Sequence, residues 1–251
     1  MKFLMCIKPV SSKLVTNEFN DDSLVINPYD LKALIELINL KKTYDIEVDI
    51  ICMGSKKCTN LLRRCRAMGA DNAHLVSSSQ FAGSDTLATT YILSKVIEYL
   101  DDYDFIICGN QAIDGETGQV PYGLAERLGI ETIDSIEKIE KIDDNELILT
   151  QKTNTQRLYL KTHNKKLLIF DDFELNYPYI SLFSLKKFCN AEIPVISTDS
   201  LKFDAEKCGN SGSKTKVISS DSNIKSKKNQ QIAANNAESI SMILSVLEKA
   251  R

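Results

Sequence analysis

The stretch 103-YDFIICGNQAIDGETGQVPYGLAERLG-129 decides the fold. Tyr103 to Cys108 is a short run of buried-type residues broken only by Asp104, the pattern of a strand buried on both faces. A polar turn punctuated by glycine follows. Pro121 then falls in the first turn of a helix, where a missing N–H costs nothing. That helix is predicted to begin between Thr117 and Gln119, with Val120, Leu124 and Leu128 turned inward. A strand feeding a helix through such a turn is the building unit of a parallel α/β sheet. Ligands of these sheets bind beyond the carboxyl ends of the strands.

The same grammar repeats upstream. Phe3 to Ile7, FLMCI, is a predicted strand. Asn27 can cap a helix that opens with Pro28, with Asp30 near its positive end and Leu31, Leu34, Ile35 and Ile38 at helical spacing. Residues 46–54, IEVDIICMG, form the next strand. Residues 55–70 form a helix with Leu61, Leu62, Cys65 and Met68 inward, stopped by Gly69. NAHLV, 72–76, is a short strand, and 83–100 a helix capped by Ser84 or Asp85. Strand and helix thus alternate, which predicts an α/β fold with a parallel sheet and helices on both faces. Right-handed crossovers then gather Lys8, Gly54, the turn after Val76 and the Gly109 turn on one edge.

After Ile130 the pattern changes. Residues 146–170 alternate in pieces between Asn-rich turns and predict an antiparallel extension of the sheet. SLFSLKKFC, 181–189, is a short helix. Residues 207–231 are rich in Ser, Lys and Asn and predict an extended arm or linker. Ile240, Ile243, Leu244 and Leu247 then share one face of a closing amphipathic helix. Such a helix covers either its own domain or a partner. The predicted division is a nucleotide-binding α/β domain over 1–190 and a C-terminal arm and helix over 191–251.

Composition narrows the function. A net charge of −3 on 251 residues gives no electrostatic case for nucleic acid or an acidic membrane. The seven cysteines form no C-x-x-C, and with only His74 and His163 available no metal spacing appears. Buried thiols in a reducing cytosol are the expectation. MKFLMCIKPV is too short for a signal sequence and no run reaches the length of a membrane span, so a cytoplasmic protein without membrane insertion is expected. No acid–base pair or Ser/His/Asp set stands out, which leaves chemistry to a cofactor.

Two turns are candidate phosphate sites. The helix after Gly109 offers free N–H groups and a positive dipole end, with Gly115 and Gly118 allowing close backbone approach. Thr117 adds a hydroxyl, and Gln111 and Asp114 can bond a ribose or base edge. In FAGSDTLATT, 81–90, Thr86, Thr89 and Thr90 bring hydroxyls to a second helix start. The same residue types are also ordinary caps and turn formers. Neither turn contains a lysine, which speaks against a small-molecule kinase or ligase.

The string CGNQAIDGETGQVP, 108–121, resembles the signature of the electron transfer flavoprotein β subunit. The resemblance continues through CIKPV, NPYDLKAL, CRAMGADNAHLV, FAGSDTLATT, SLFSLKKFCNAEIPV and GNSGSKTKV, and covers nearly the whole chain. It implies a flavodoxin-like or Rossmann-like domain that pairs with an α subunit carrying the electron-transferring FAD. The β subunit's own pocket holds AMP in one branch of the family and a second FAD in the electron-bifurcating branch. Gly115 and Thr117 resemble the FAD branch, where a diphosphate needs room. In that case NADH reduces the β-bound FAD, and its electrons divide between a low-potential carrier, ferredoxin or flavodoxin, and the α-subunit FAD.

The resemblance also implies site residues. Cys6, Lys8 and Val10 would line the nucleotide edge; Asn27 and Asp30 would approach the adenosine; Cys52 and Gly54 end the neighbouring strand. Asp85, Thr86 and Thr89, with Gly109, Gln111, Ala112, Asp114, Gly115, Glu116, Thr117, Gly118, Gln119 and Val120, would hold phosphates and ribose. Leu182 matches the leucine by which the family anchors an acyl-CoA or other flavin dehydrogenase. The chain departs from the family at Ser11-Ser12-Lys13, where Pro-Asp-Thr is usual, and in 164–170 and 171–182, which lack the usual Pro and Arg-Tyr. Three functions therefore stand: a bifurcating β subunit with FAD, a plain carrier subunit with AMP, and a nucleotide-binding regulatory module without redox activity.

Overall fold

A computed structural model describes residues 1–15, 23–100, 103–144, 146–163, 165–216, 239–241, 243 and 244. In chain order come β1 (Lys2–Ile7), β2 (Pro9–Ser11), α1 (Ser12–Val15), β3 (Leu24–Ile26), α2 (Pro28–Leu40), β4 (Glu47–Met53), α3 (Thr59–Met68), β5 (Asn72–Val76), α4 (Thr86–Leu100), β6 (Phe105–Gly109) and α5 (Gln119–Leu128). Then follow β7 (Glu131–Asp143), β8 (Glu146–Lys152), β9 (Arg157–Thr162), β10 (Lys166–Phe170), α6 (Leu182–Phe188), β11 (Val195–Ile196) and α7 (Gly209–Gly212).

The main sheet has the order β11-β5-β4-β1-β6-β10-β7-β8-β9. From β11 to β7 every neighbouring pair is parallel, and β8 and β9 continue antiparallel. Alternate residues of each strand face opposite layers. Phe3, Met5, Ile50, Phe105, Ile107 and Leu168 pack under α2 and α3. Leu4, Ile51, Ile106, Leu167 and Ile169 pack under α4 and α5. Both faces are covered, so the central strands read as continuous apolar runs rather than as an alternation. On α2 the buried stripe is Leu31, Leu34, Leu37 and Leu40, with Ile35 and Ile38 only half-buried at its border.

Three expectations change. Lys166–Phe170 is not part of an antiparallel meander: as β10 it inserts between β6 and β7, parallel to both. The first compact unit runs from Met1 to Lys216 rather than ending at 190. Val195–Ile196 adds a parallel strand to β5. The polar segment beyond it is not a linker up to Lys216, because its groups bond the loop before α4. The Ser213 hydroxyl donates to the Gly83 carbonyl and accepts from the Asp85 N–H, and Asp85 accepts from the N–H groups of Lys214 and Thr215. The second unit is Val217–Arg251. Of it, Ile240, Ile243 and Leu244 are helical and exposed, whereas Leu247 and the linker expected over 217–231 lie outside the described residues.

β1 is the topological switch point. The chain builds β4 and β5 on one side of it and β6 on the other. The crossing connections leave a crevice at the carboxyl ends of these strands.

Candidate functional site

Where these strand ends meet lies a cleft of about 770 Å³, within the range of small-molecule and cofactor sites, ~300–1,000 Å³. Its floor is the strand ends: Cys6 and Lys8 on and after β1, Gly54 after β4, Val76 on β5, and Cys108 and Gly109 on β6.

The start of α2 ties this floor together. Asp30 is buried, and its carboxylate accepts from the Lys8 N–H at 2.8 Å and the Gly109 N–H at 3.1 Å. Burial pushes its pKa up to about 7, against those hydrogen bonds, which favour the charged form. Asn27 occupies the cap position of α2 but makes no side-chain cap. Its amide reaches across instead, donating to the Gln111 carbonyl at 2.8 Å and accepting from the Ile113 N–H at 3.2 Å. A residue suited to capping its own helix thus anchors the turn after β6.

That turn is built on the Ala112 carbonyl, which accepts from the N–H groups of Gly115 and Glu116. Glu116 and Gly118 both adopt left-handed backbone conformations, φ 51° and 61°. Gly118 precedes α5, and no side chain caps that helix. The first N–H groups of α5 are therefore left without a side-chain acceptor at the cleft. Gly115 is open: an added Cβ would meet nothing nearer than the Lys8 ammonium at 4.0 Å. Gln111, Ala112, Gly115, Glu116, Thr117, Gly118 and Val120 all line the cleft.

α4 supplies the second helix start. Asp85 caps it by accepting from the Ala88 N–H at 3.0 Å. Slight burial opposes the charge on Asp85, but the N–H groups of Ala88, Thr215 and Lys214 outweigh it and hold the carboxyl below its ordinary value. Thr86 and Thr89 line the cleft. The Thr86 hydroxyl donates to the Gln119 side-chain carbonyl at 2.9 Å and links the two helix starts. Thr90 does not join them. It is buried, donates to the Leu87 carbonyl and accepts from Arg127.

Some expected residues stand elsewhere. Val10 is buried in the β2–β3 ribbon, opposite Val25. Cys52 is wholly buried on the α2–α3 side of the sheet, in contact with Cys58, and outside the cleft lining. Asp114 turns to Lys8, with Nζ to Oδ1 at 2.5 Å, and Gln119 is held by Thr86; neither lines the cleft. A lysine does therefore reach the turn after β6, from just beyond the end of β1. Leu182 does not line the cleft; it opens α6, which is capped by the Ser181 hydroxyl. It is 81% exposed, as is Phe183 beside it.

The sequence reading placed the turn after Val76 at this edge and read Ser84 as a cap, but did not single out the other polar residues of the opposite wall. Ser55 and Lys56 follow β4, and Ser77, Ser78, Ser79 and Ser84 follow β5. The signal was the sheet-edge rule itself, since both loops leave carboxyl ends of parallel strands. Among the described residues no cluster of His, Cys, Asp and Glu could hold a metal, and no helix is long and apolar enough to cross a membrane.

Residues 16–169 match the family model of the electron transfer flavoprotein domain. The electron transfer flavoprotein subunit beta of Thermoanaerobacterium thermosaccharolyticum is 36% identical over 233 residues, covering 87% of this chain and 86% of that protein. Protein FixA of Azotobacter vinelandii is 42% identical over 154 residues, 57% of this chain and 55% of that one. The caffeyl-CoA reductase-Etf complex subunit CarD of Acetobacterium woodii is 31% identical over 233 residues, 88% of this chain and 87% of that one. The chain belongs to the electron transfer flavoprotein β-subunit family.

Proposed function

From that membership we propose that this chain is the β subunit of a heterodimeric electron transfer flavoprotein, with FAD in its own cleft. It passes electrons between NADH or a flavin dehydrogenase and other carriers in the cytoplasm, by dividing the electrons of NADH. The observation that carries the choice of FAD is the open space at Gly115 beside the uncapped start of α5. A diphosphate needs both room and backbone donors. Gly115, Thr117, Gly118 and the first N–H groups of α5 would hold the phosphates, with Thr86 and Thr89 opposite. When bound, the flavin supplies hydride acceptance and one-electron transfer. The residues of this chain orient it, and the Lys8–Asp114 ion pair fixes the turn beside it. CarD is by name a subunit of a caffeyl-CoA reductase-Etf complex; a flavin dehydrogenase acting on an acyl-CoA is the proposed partner here.

The test is to purify the chain with its α subunit, denature the complex and identify the released nucleotides by chromatography. About two FAD per heterodimer is expected. One FAD with one AMP would make it a plain carrier subunit. A chain that binds no α subunit would point to a nucleotide-binding module without redox activity.

A further inference from the structure

The cleft floor contains two thiols side by side. β1 and β6 are parallel neighbours with Phe3 opposite Phe105, Leu4 opposite Ile106 and Met5 opposite Ile107. The same register puts Cys6 beside Cys108. Both lie on the α4–α5 side of the sheet and both line the cleft. Their side chains are near enough for Cys6 to raise the pKa of the Cys108 thiol. Neighbouring strands stand ~4.8 Å apart, inside the range of ~4.4–6.8 Å over which two Cα atoms accept a disulfide. Cys108 is buried, whereas Cys6 is half-buried and reachable through the cleft.

We propose that Cys6 and Cys108 form an oxidisable dithiol in the cleft floor, which hydrogen peroxide closes to a disulfide with Cys6 as the attacking sulfur. Cys6 Sγ attacks one peroxide oxygen; the O–O bond breaks, one water leaves and Cys6 becomes a sulfenic acid. Cys108 Sγ then attacks the Cys6 sulfur, the S–O bond breaks and a second water leaves. Two thiols lose two electrons and two protons, and the peroxide becomes two waters. The division of labour follows access. The contact with Cys6 and burial hold the Cys108 proton on well above the ordinary thiol range, so Cys108 is the second sulfur to react.

The other close pair serves as the comparison. Cys52 and Cys58 also touch, but both are closed off on the far side of the sheet beneath α2 and α3. Among them Cys58 has the lowered pKa, held down by its contact with Cys52. Thiolate character alone would favour that pair, and access favours Cys6–Cys108. Cys6 is reached through the same cleft that the proposed nucleotide would fill, so a bound nucleotide is expected to slow the bridge.

The full chain is treated with a small excess of hydrogen peroxide, quenched with an alkylating agent, digested without reduction and analysed by mass spectrometry. The expected product is a peptide pair joined through Cys6 and Cys108 that dithiothreitol separates. Cys52→Ala is expected to leave its yield unchanged. Cys108→Ala is expected to abolish it and leave Cys6 as sulfenic or sulfinic acid. A Cys52–Cys58 bridge in its place, or over-oxidised Cys6 with Cys108 alkylated in the wild-type chain, would overturn the proposal. Retained far-ultraviolet circular dichroism separates a chemical effect of the Ala variants from failure to fold.

Discussion

The Asp30 carboxylate holds Gly109 in place: its Oδ1 accepts the Gly109 N–H at 3.1 Å while its Oδ2 accepts the Lys8 N–H at 2.8 Å, joining the ends of β6 and β1. Two adjacent strand ends, and with them the floor of the cleft, hang on one buried group. Its titration should be visible in stability. The folded-state pKa is raised from 3.8 to about 7. Below about pH 4 the carboxyl is protonated in both states, and its contribution is fully present. As the pH climbs toward 7 the unfolded chain ionises freely while the fold holds its proton, so stability is lost, by up to about 4 kcal/mol across that window. Asp30→Asn cannot titrate and should flatten this part of the melting-temperature profile. Parallel wild-type and variant profiles would exclude the assignment.

Gly109→Ala should fail for a steric reason. An added Cβ would sit 2.5 Å from Asp30 Oδ1, 2.7 Å from Tyr29 Cβ and 3.0 Å from the Asp30 backbone nitrogen. Helix α2 would have to retreat from the sheet. The expected cost is about 1–3 kcal/mol, seen as a lower urea midpoint with an unchanged slope.

Gly115 behaves in the opposite way. Its Cβ position is open and its backbone is not left-handed. Gly115→Ala should change stability by no more than about 0.5 kcal/mol. On the proposed function it should weaken FAD more than AMP, because only the diphosphate needs the space. Equilibrium dialysis of both nucleotides decides this, and equal losses would count against FAD.

Asn27→Ala should loosen the turn at the cleft, which Asn27 itself lines. It removes both bonds and leaves the half-buried Gln111 carbonyl and Ile113 N–H without that partner. A cost of about 1–3 kcal/mol is expected, with faster hydrogen exchange at the Ile113 amide than in the wild type.

Leu182→Ala should leave melting unchanged, since the side chain is 81% exposed, yet weaken capture of a flavin dehydrogenase by the α–β complex. Undiminished capture in a surface-binding assay would remove Leu182 from the docking surface.

The strand-turn-helix order was legible because each element carries its own signal. Apolar runs such as FIIC, Pro121 inside a helix start and glycine after Met68 act within a few residues of themselves. The location of the cleft was legible too, since parallel crossovers send every strand's carboxyl end to one edge. What a polar side chain bonds was not legible. Asn27 and Asp85 both have capping chemistry, yet one caps α4 and the other braces a turn 84 residues away. Cap preference is local, and the choice of partner is made by whichever backbone group the fold brings near.

The sequence by itself determined an α/β protein and placed the turn from Gly109 to Val120 at the carboxyl edge of its parallel strands, where the cleft lies. Only the tertiary structure decided that Lys166–Phe170 enters the middle of the sheet, that residues 191–216 return to pair with β5 and bind Asp85, and that Lys8 meets Asp114. It likewise decided that Cys6 lies beside Cys108 rather than beside Cys52. The reason is range. Helix starts, turns and buried runs are set by sterics and hydrogen bonds among neighbours in the chain. A strand's partner and register are set by hydrophobic burial summed over residues a hundred positions apart, and no short window of sequence contains that sum.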